Sequence, residues 1–283
     1  MDKGGVDRGT LYVVATPIGN LSDASPRSVE VLRSVDLVAC EDTRTTRTLL
    51  EHHGIAARTV ALHEHNERAA AKGLIAALRD GKSVALVSDA GTPGIADPGA
   101  LLVAEVHRAG LRVSPVPGPS AAAAAFSAAG FVAPGYRFAG FLPASGGARR
   151  KAIEALDGPL PVVLFEAPHR IARTLADLAE KLGPAREIAL ARELSKKFEE
   201  VARLTLGEAE SWLKAPHRQQ GEFVIVVSGM ERQAGKAPQP LDADRVLDVL
   251  LESLAPSEAA KAAARITGLA KGELYRKALT RRK

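Results

Sequence analysis

Short apolar runs alternate with helical patterns through the first half of the chain. Residues 11–15 read as a buried strand, and Thr16-Pro17-Ile18-Gly19-Asn20 behind it is a loop, because proline and glycine interrupt both regular patterns. Ser25 before Pro26 marks a helix start, with a capping hydroxyl followed by a residue that needs no amide partner. Val29, Leu32 and Val35 form that helix's apolar face. The pattern then predicts strands at Leu37–Cys40, 60–62, Val84–Val87 and 113–116. Helices are predicted at 43–53, 66–80 and 98–109, stopped by Gly54, Gly81 and Gly110. Such alternation specifies a largely parallel sheet with helices on both faces.

Residues 115–119 hold three prolines and a glycine and read as a joint between domains. Beyond it the α/β pattern continues. Helices are predicted at Ala121–Ala129, 149–156, 169–182 and 208–213, with strands at 138–142, Val162–Glu166, Glu187–Arg192, 201–204 and Phe223–Val227. The stretch 229–240 is polar with glycine and proline, a linker composition, and three short helices at 242–254, 257–267 and 271–279 fit the rest. The expected organisation is therefore an α/β domain at 1–117, a second at 118–230, a linker at 231–240 and a helical module at 241–283. No internal repeat recurs at a fixed period.

The 283 residues, 46% hydrophobic and 25% charged with eleven aromatics, suit a globular protein of two domains and exclude a fibrous or wholly disordered chain. No apolar run approaches the roughly 18 residues that span a bilayer, so no membrane role is expected. The start, MDKGGVDRG, lacks the apolar core of a secretory signal. Cys40 stands alone, which excludes an internal disulfide framework and a thiolate-rich zinc site. A cytoplasmic location follows as the expectation. Charge is unevenly spread: residues 261–283 carry eight basic side chains against one acid, net +7, leaving −2 for the rest. Such a tail fits nucleic-acid contact, and it also fits a merely solvated end.

Ligands of open parallel sheets bind at the carboxyl ends of strands. Three Gly/Pro-rich loops sit there: 16–20, 88–94 and 117–121. Glycine lets a ligand approach the backbone, proline holds the loop, and Asp89 can accept from a hydroxyl or amine. Neither GxGxxG nor GxxxxGK[ST] occurs, which argues against a standard dinucleotide fold or P-loop. Three polar clusters interrupt apolar surroundings: Glu41-Asp42-Thr43-Arg44, His63-Glu64-His65-Asn66-Glu67, and Glu166-Ala167-Pro168-His169-Arg170. Helix caps and surface charge explain them as well as chemistry does, Asp42 and Asn66 being good cap types. The two histidines lack the HExxH spacing, so no metal is expected. The stretch 192–200 is either a solvated loop or a charged clamp on RNA. In the tail, Ala259, Ala260, Ala263 and Ala264 form a small-residue helix face, and Gly268 turns the chain into a basic second helix. That spacing fits a helix-turn-helix-like module or a plain helical cap.

Taken together, LYVVATPIGNL (11–21), ACEDTR (39–44), HEHNE (63–67), SDAGTPGIADPG (88–99), PGPSA (117–121), GFLP (140–143), EAPHR (166–170) and ARELSKKFEE (191–200) resemble the ribosomal RNA small subunit methyltransferase I family. That family belongs to the tetrapyrrole-methylase-like, class III methyltransferases. The resemblance runs from Leu11 to Leu279; one departure is Leu204-Thr205-Leu206, where the family's Arg-Gly is expected. It implies two α/β domains with a cleft between them and a small helical C-terminal module. It further implies S-adenosylmethionine as methyl donor, transfer to the ribose 2′-hydroxyl of a cytidine in the decoding region of 16S rRNA in the small ribosomal subunit, and a homodimer. By motif position the donor residues are Pro17, Asp89, Ala90, Gly91, Thr92, Pro93, Ile95, Ser120 and Ala121.

A ribose hydroxyl is a weak nucleophile, so a base or a nearby cation should assist. Glu41, Asp42, His63, His65, Glu166 and Lys196 are the candidates, and nothing in the sequence orders them. Arg44, Arg170, Arg192, Lys271, Arg276 and Lys277 are candidates for RNA phosphates. The sequence leaves two rival readings open: a tetrapyrrole methyltransferase with the same donor site, and a non-catalytic nucleic-acid binder using the tail.

Overall fold

The alternation along the chain folds into two five-stranded sheets. The structure is a computed structural model, and it describes residues 5–63, 66–230 and 242–281. The first sheet contains β1 (Thr10–Val14), β2 (Leu37–Cys40), β3 (Thr59–Ala61), β4 (Val84–Val87) and β5 (Arg112–Val116). Its order is β3-β2-β4-β1-β5 and every pairing is parallel. β2 and β4 are buried at every position, as strands covered on both faces must be. Alternate residues feed opposite cores. Val38, Cys40, Ala85 and Val87 face α1 (Pro26–Ser34) and α2 (Thr43–His52), while Leu37, Ala39, Val84 and Leu86 face α3 (Glu67–Arg79) and α4 (Ala100–Arg108).

The helix ends follow local chemistry. Ser25 Oγ accepts from Ser28 N at 3.0 Å ahead of Pro26, and Asp42 Oδ1 accepts from Arg44 N at 2.8 Å. Asn66 makes no such cap; its Oδ1 takes His63 N and its Nδ2 donates to Ala61 O. α4 starts at Ala100, two residues later than the pattern predicts, because Gly99 has φ +124° and cannot be helical. The amides of Gly99, Leu101 and Leu102 all donate to Glu67 Oε1 at 2.9, 3.0 and 3.2 Å. On the far edge, Pro115 pairs with Val13. Proline is tolerated there because an edge strand leaves one side of its backbone without a partner.

The second sheet contains β6 (Arg137–Phe141), β7 (Val162–Glu166), β8 (Glu187–Arg192), β9 (Glu200–Thr205) and β10 (Phe223–Val227), ordered β6-β7-β10-β8-β9. Only β6–β7 is parallel. A parallel return needs a crossover of about a dozen residues, and residues 193–199 are too few for one, so β8 and β9 run antiparallel. α5 (Ala121–Ala129) packs small alanines on one face, opposite a core of Leu164, Leu178, Ile188 and Ile225 that includes α6 (Gly146–Glu154), α7 (Ile171–Leu182) and α8 (Leu206–Leu213).

The chain divides into two compact units, Met1–Met230 and Glu231–Lys283. The expected linker at 231–240 lies outside the described residues. In the second unit α9 (Ala243–Leu251), α10 (Pro256–Thr267) and α11 (Lys271–Arg281) bury Leu247, Ala259, Ala260, Ala263, Leu274 and Ala278 among themselves. Gly268, at φ +75°, ends α10 in the left-handed conformation that glycine adopts without strain. Among the described residues no helix is long and apolar enough to cross a membrane.

Candidate active site

β4, β1 and β5 are neighbours, so the three Gly/Pro loops leave the sheet side by side. Hydrogen bonds join them. Thr16 N donates to Gly91 O at 2.8 Å and Gly91 N returns a bond to Thr16 O at 3.1 Å. Thr92 Oγ1 donates to Pro119 O at 3.1 Å.

A cavity of about 360 Å³ lies between these loops and the second sheet. Ile18, Ala90, Gly91, Thr92, Ile95, Ala96, Asp97, Ser120 and Ala121 form one wall; Phe141, Phe165, Glu166, Leu194, Glu222 and Phe223 contribute to the other. A smaller cavity of about 260 Å³ lies between the loops and α2, lined by Thr16, Pro17, Leu21, Thr45, Thr46, Thr48, Leu49, Ser88 and Asp89. The donor residues expected from the sequence therefore divide. Ala90, Gly91, Thr92, Ile95, Ser120 and Ala121 line the larger cavity, Pro17 and Asp89 line the smaller, and Pro93 is buried and lines neither.

Acidic groups gather at the ends of β2 and β4. Burial pushes the Asp97 carboxyl up and the Asp89 charge adds to this, while a hydrogen bond with Ser88 works the other way. Glu41 is also pushed up, by burial first and then by Asp89, Asp97 and Asp42. Asp42 is pulled down to about 2 by the Arg44 side chain, whose Nη2 is 2.7 Å away. The Cys40 thiol below them is raised by burial. Nothing in the sequence singles out Asp97, although it lies inside the word 88–99; its burial beside Asp89 is a tertiary fact with no local signature.

The remaining candidates fall elsewhere. His63 is exposed and lines neither cavity, and His65 lies outside the described residues. Glu166 lines the larger cavity, but its carboxylate is braced: Oε1 accepts from Ala167 N and lies 3.0 Å from Arg170 Nε, and Oε2 accepts from Thr174 Oγ1 at 2.6 Å. Those partners make it an anchor between β7 and α7. Lys196 Nζ sits 2.9 Å from both Glu193 Oε1 and Glu222 Oε2. Burial alone would lower its pKa; the two carboxylates more than offset this and raise it, so Lys196 is a fixed cation and not a base.

Two of the arginines expected on RNA are spent inside the fold. Arg192 is buried, donating from Nε to Gln220 O at 2.9 Å and from Nη1 to Phe198 O at 2.8 Å, which rules it out as a phosphate contact. Arg170 holds Glu166 and also donates to Leu142 O. Arg44 is 87% exposed and holds Asp42 at 2.7 Å. In the second unit Lys271 and Arg276 are exposed, while Lys277 lies 3.1 Å from Asp244 Oδ1.

A parallel sheet and a mixed sheet meet here with a cavity at their loop ends, and comparison with known proteins gives this architecture its class, the methyltransferases of the tetrapyrrole-methylase type. Residues 10–210 match the family Tetrapyrrole (Corrin/Porphyrin) Methylases, and residues 237–282 match the RsmI C-terminal HTH domain. Similar folds include a diphthine synthase (TM-score 0.59, 18% identity, 78% of this chain and 89% of that one). Another is a uroporphyrin-III-C-methyltransferase from Thermus thermophilus (TM-score 0.55, 22% identity, 78% and 94%). A protein of Pseudomonas aeruginosa named ribosomal RNA small subunit methyltransferase I is 48% identical over 275 residues, 96% of this chain and 98% of the relative. One of Escherichia coli O157:H7 with the same name is 46% identical over 274 residues, 96% and 95%. The chain belongs to the ribosomal RNA small subunit methyltransferase I family, whose members use S-adenosylmethionine.

The larger cavity fits that donor. Ile18, Ala90, Phe223 and the aromatic pair Phe141 and Phe165 offer the apolar surface an adenine needs, and Thr92 and Ser120 offer polar partners for a ribose and an amino-acid tail. Carboxylates on the wall also suit a ligand carrying a sulfonium and an ammonium.

Proposed function

We propose that this protein methylates the ribose 2′-hydroxyl of a cytidine in the decoding region of 16S rRNA, acting on the small ribosomal subunit. It works in the cytoplasm as a homodimer, with residues 1–117 and 118–230 as the two α/β domains that share the donor cavity. The observation that carries this reading is the presence in one chain of the donor cavity and a basic helical module, both spanned by relatives named for that RNA.

S-adenosylmethionine supplies an electrophilic methyl group for in-line displacement. The apolar wall of Ile18, Phe141, Phe165 and Phe223 excludes water and limits how the reactants lie, which is where much of the acceleration arises. The acceptor hydroxyl must lose a proton, and we assign its acceptance to Asp97 Oδ. Asp97 lines the cavity, and its carboxylate is made more basic by burial and by Asp89. Lys196, held between Glu193 and Glu222, keeps the 193–199 loop in place at the cavity wall. Arg44 and the exposed cations Lys271 and Arg276 serve RNA phosphates.

The test is transfer of labelled methyl from S-adenosylmethionine to small ribosomal subunits purified from a strain lacking this protein. Label recovered as a nuclease-resistant 2′-O-methylcytidine is the expected result. Intact donor binding with no label in the rRNA would overturn the reading.

A further inference from the structure

Resting on that reading, we propose that the smaller cavity receives the unstacked base of the nucleotide being methylated. The two cavities share one loop: Ser88 and Asp89 line the smaller, and Ala90, Gly91 and Thr92 line the larger. The two hollows are therefore neighbours along one loop, and a nucleotide whose base sits in the smaller would extend its ribose toward the larger, where the methyl group must come within about 3–3.5 Å of the hydroxyl. At about 260 Å³ the hollow suits a single nucleobase and not a macrocycle.

Its chemistry suits a base with an amino edge. Asp89 uses Oδ1 to accept from Asp42 N at 3.0 Å, and a carboxylate has acceptor sites to spare for an exocyclic amine, the pairing seen with cytosine N4. Leu49 and Pro17 supply apolar surface for the ring. The Thr46 hydroxyl is the second, independent sign. Thr46 is only 2% exposed and lines the hollow, yet its Oγ1 has no hydrogen-bond partner of good geometry; the Cys40 sulfur beside it is a weak acceptor at best. Buried polar atoms are rarely left so, and a turn of the Thr46 side chain about its Cα–Cβ bond would present the hydroxyl to a ligand in the hollow. Enzymes that do chemistry on a base draw it out of the stack into such a pocket; here the same extrusion would carry the ribose attached to that base toward the shared loop.

Two substitutions test this. Thr46→Val removes the hydroxyl at nearly constant volume, and because its neighbour in the fold is only the weakly accepting Cys40 sulfur the melting temperature should scarcely change. Thr48→Trp, from an exposed position on the cavity rim, fills the hollow. Each is assayed for S-adenosylhomocysteine affinity by calorimetry, and for KM and kcat of methyl transfer to small subunits from the deficient strain. The expected result is unchanged ligand affinity, with KM for the subunit raised about three- to tenfold by Thr46→Val, the worth of one hydrogen bond, and more than tenfold by Thr48→Trp. Unchanged KM in both variants would overturn the proposal, as would ligand affinity falling in step with KM. If the unaltered protein labels no rRNA, the reading beneath the proposal fails and takes the proposal with it. Normal labelling with indifferent variants overturns the proposal alone.

Discussion

Gly19 abuts Lys196 with no space for a side chain: a β-carbon there would stand 2.5 Å from Lys196 Cγ and 2.8 Å from the Leu194 carbonyl oxygen. Gly19 belongs to the loop after β1 and Lys196 to the loop after β8, so this contact ties the loops of one sheet to those of the other beside the larger cavity. Lys196 is flexible and could move, but the Leu194 carbonyl is backbone. Gly19→Ala should therefore push the loops apart and cost about 1–3 kcal/mol of stability, as overpacking does. Donor affinity should fall about tenfold. Thermal melting and calorimetry check both effects, and unchanged donor affinity would show that the contact is incidental to the cavity.

Asp97 carries opposed predictions for activity and stability. Its native pKa lies above the ordinary aspartate value, so the folded state binds this proton more tightly than the unfolded chain does. The stability it contributes is present at low pH and is lost as pH rises through the native pKa. Asp97→Asn should accordingly melt higher than the parent at pH 7. It should also lose about 10²–10⁴-fold in kcat and flatten the acid limb of the pH–rate profile. A variant with normal kcat would remove Asp97 from the chemistry.

Glu67 gathers three amides at the start of α4 from another helix. Glu67→Ala leaves those amides without their acceptor and should cost about 1–3 kcal/mol in urea unfolding. Glu67→Gln should cost less, because its carbonyl still accepts while the charge favoured at a helix N-terminus is gone.

The basic C-terminal helices make a prediction about salt. A chain ending at Met230 should bind S-adenosylhomocysteine normally, since the donor cavity lies wholly in the first unit. Its affinity for the small subunit should depend less steeply on salt, by roughly 0.7–0.9 in log–log slope for each RNA phosphate that it no longer neutralises. Arg276→Ala in the full chain should account for one such step. An identical slope for the truncated chain would give α9–α11 a purely structural role.

The parallel sheet is legible in the sequence because runs such as Val84–Val87 are apolar at every position, and a strand buried on both faces leaves that trace. The three loops are legible because proline and glycine are punctuation. The charged words mislead. EAPHR and ARELSKKFEE read as surface, yet Glu166 and Arg192 are buried, their charge and hydrogen-bonding capacity met by partners that only the folded chain assembles. Asp97 and Thr46 escape notice for the converse reason. One reads as a loop acid and the other as one threonine in the polar run TRTTRT, and only the fold sets Asp97 beside Ser88 and Asp89 at the larger cavity and brings Thr46 of α2 to the smaller one.

Pro115 bears on how two copies of the chain can meet. Growth of a sheet from one molecule into the next needs an edge that offers amides in a row, and β5 is interrupted there by a residue that has none. The other margins are blunted differently: β3 is only three residues long, β6 is kinked by the bulge between Phe138 and Gly140, and β9 carries Glu200 and Arg203. A strand-to-strand seam is disfavoured at each of these four edges. The homodimer proposed above would be held by side chains on faces and loops, and the same blunting keeps crowded native molecules from joining edge to edge into fibres.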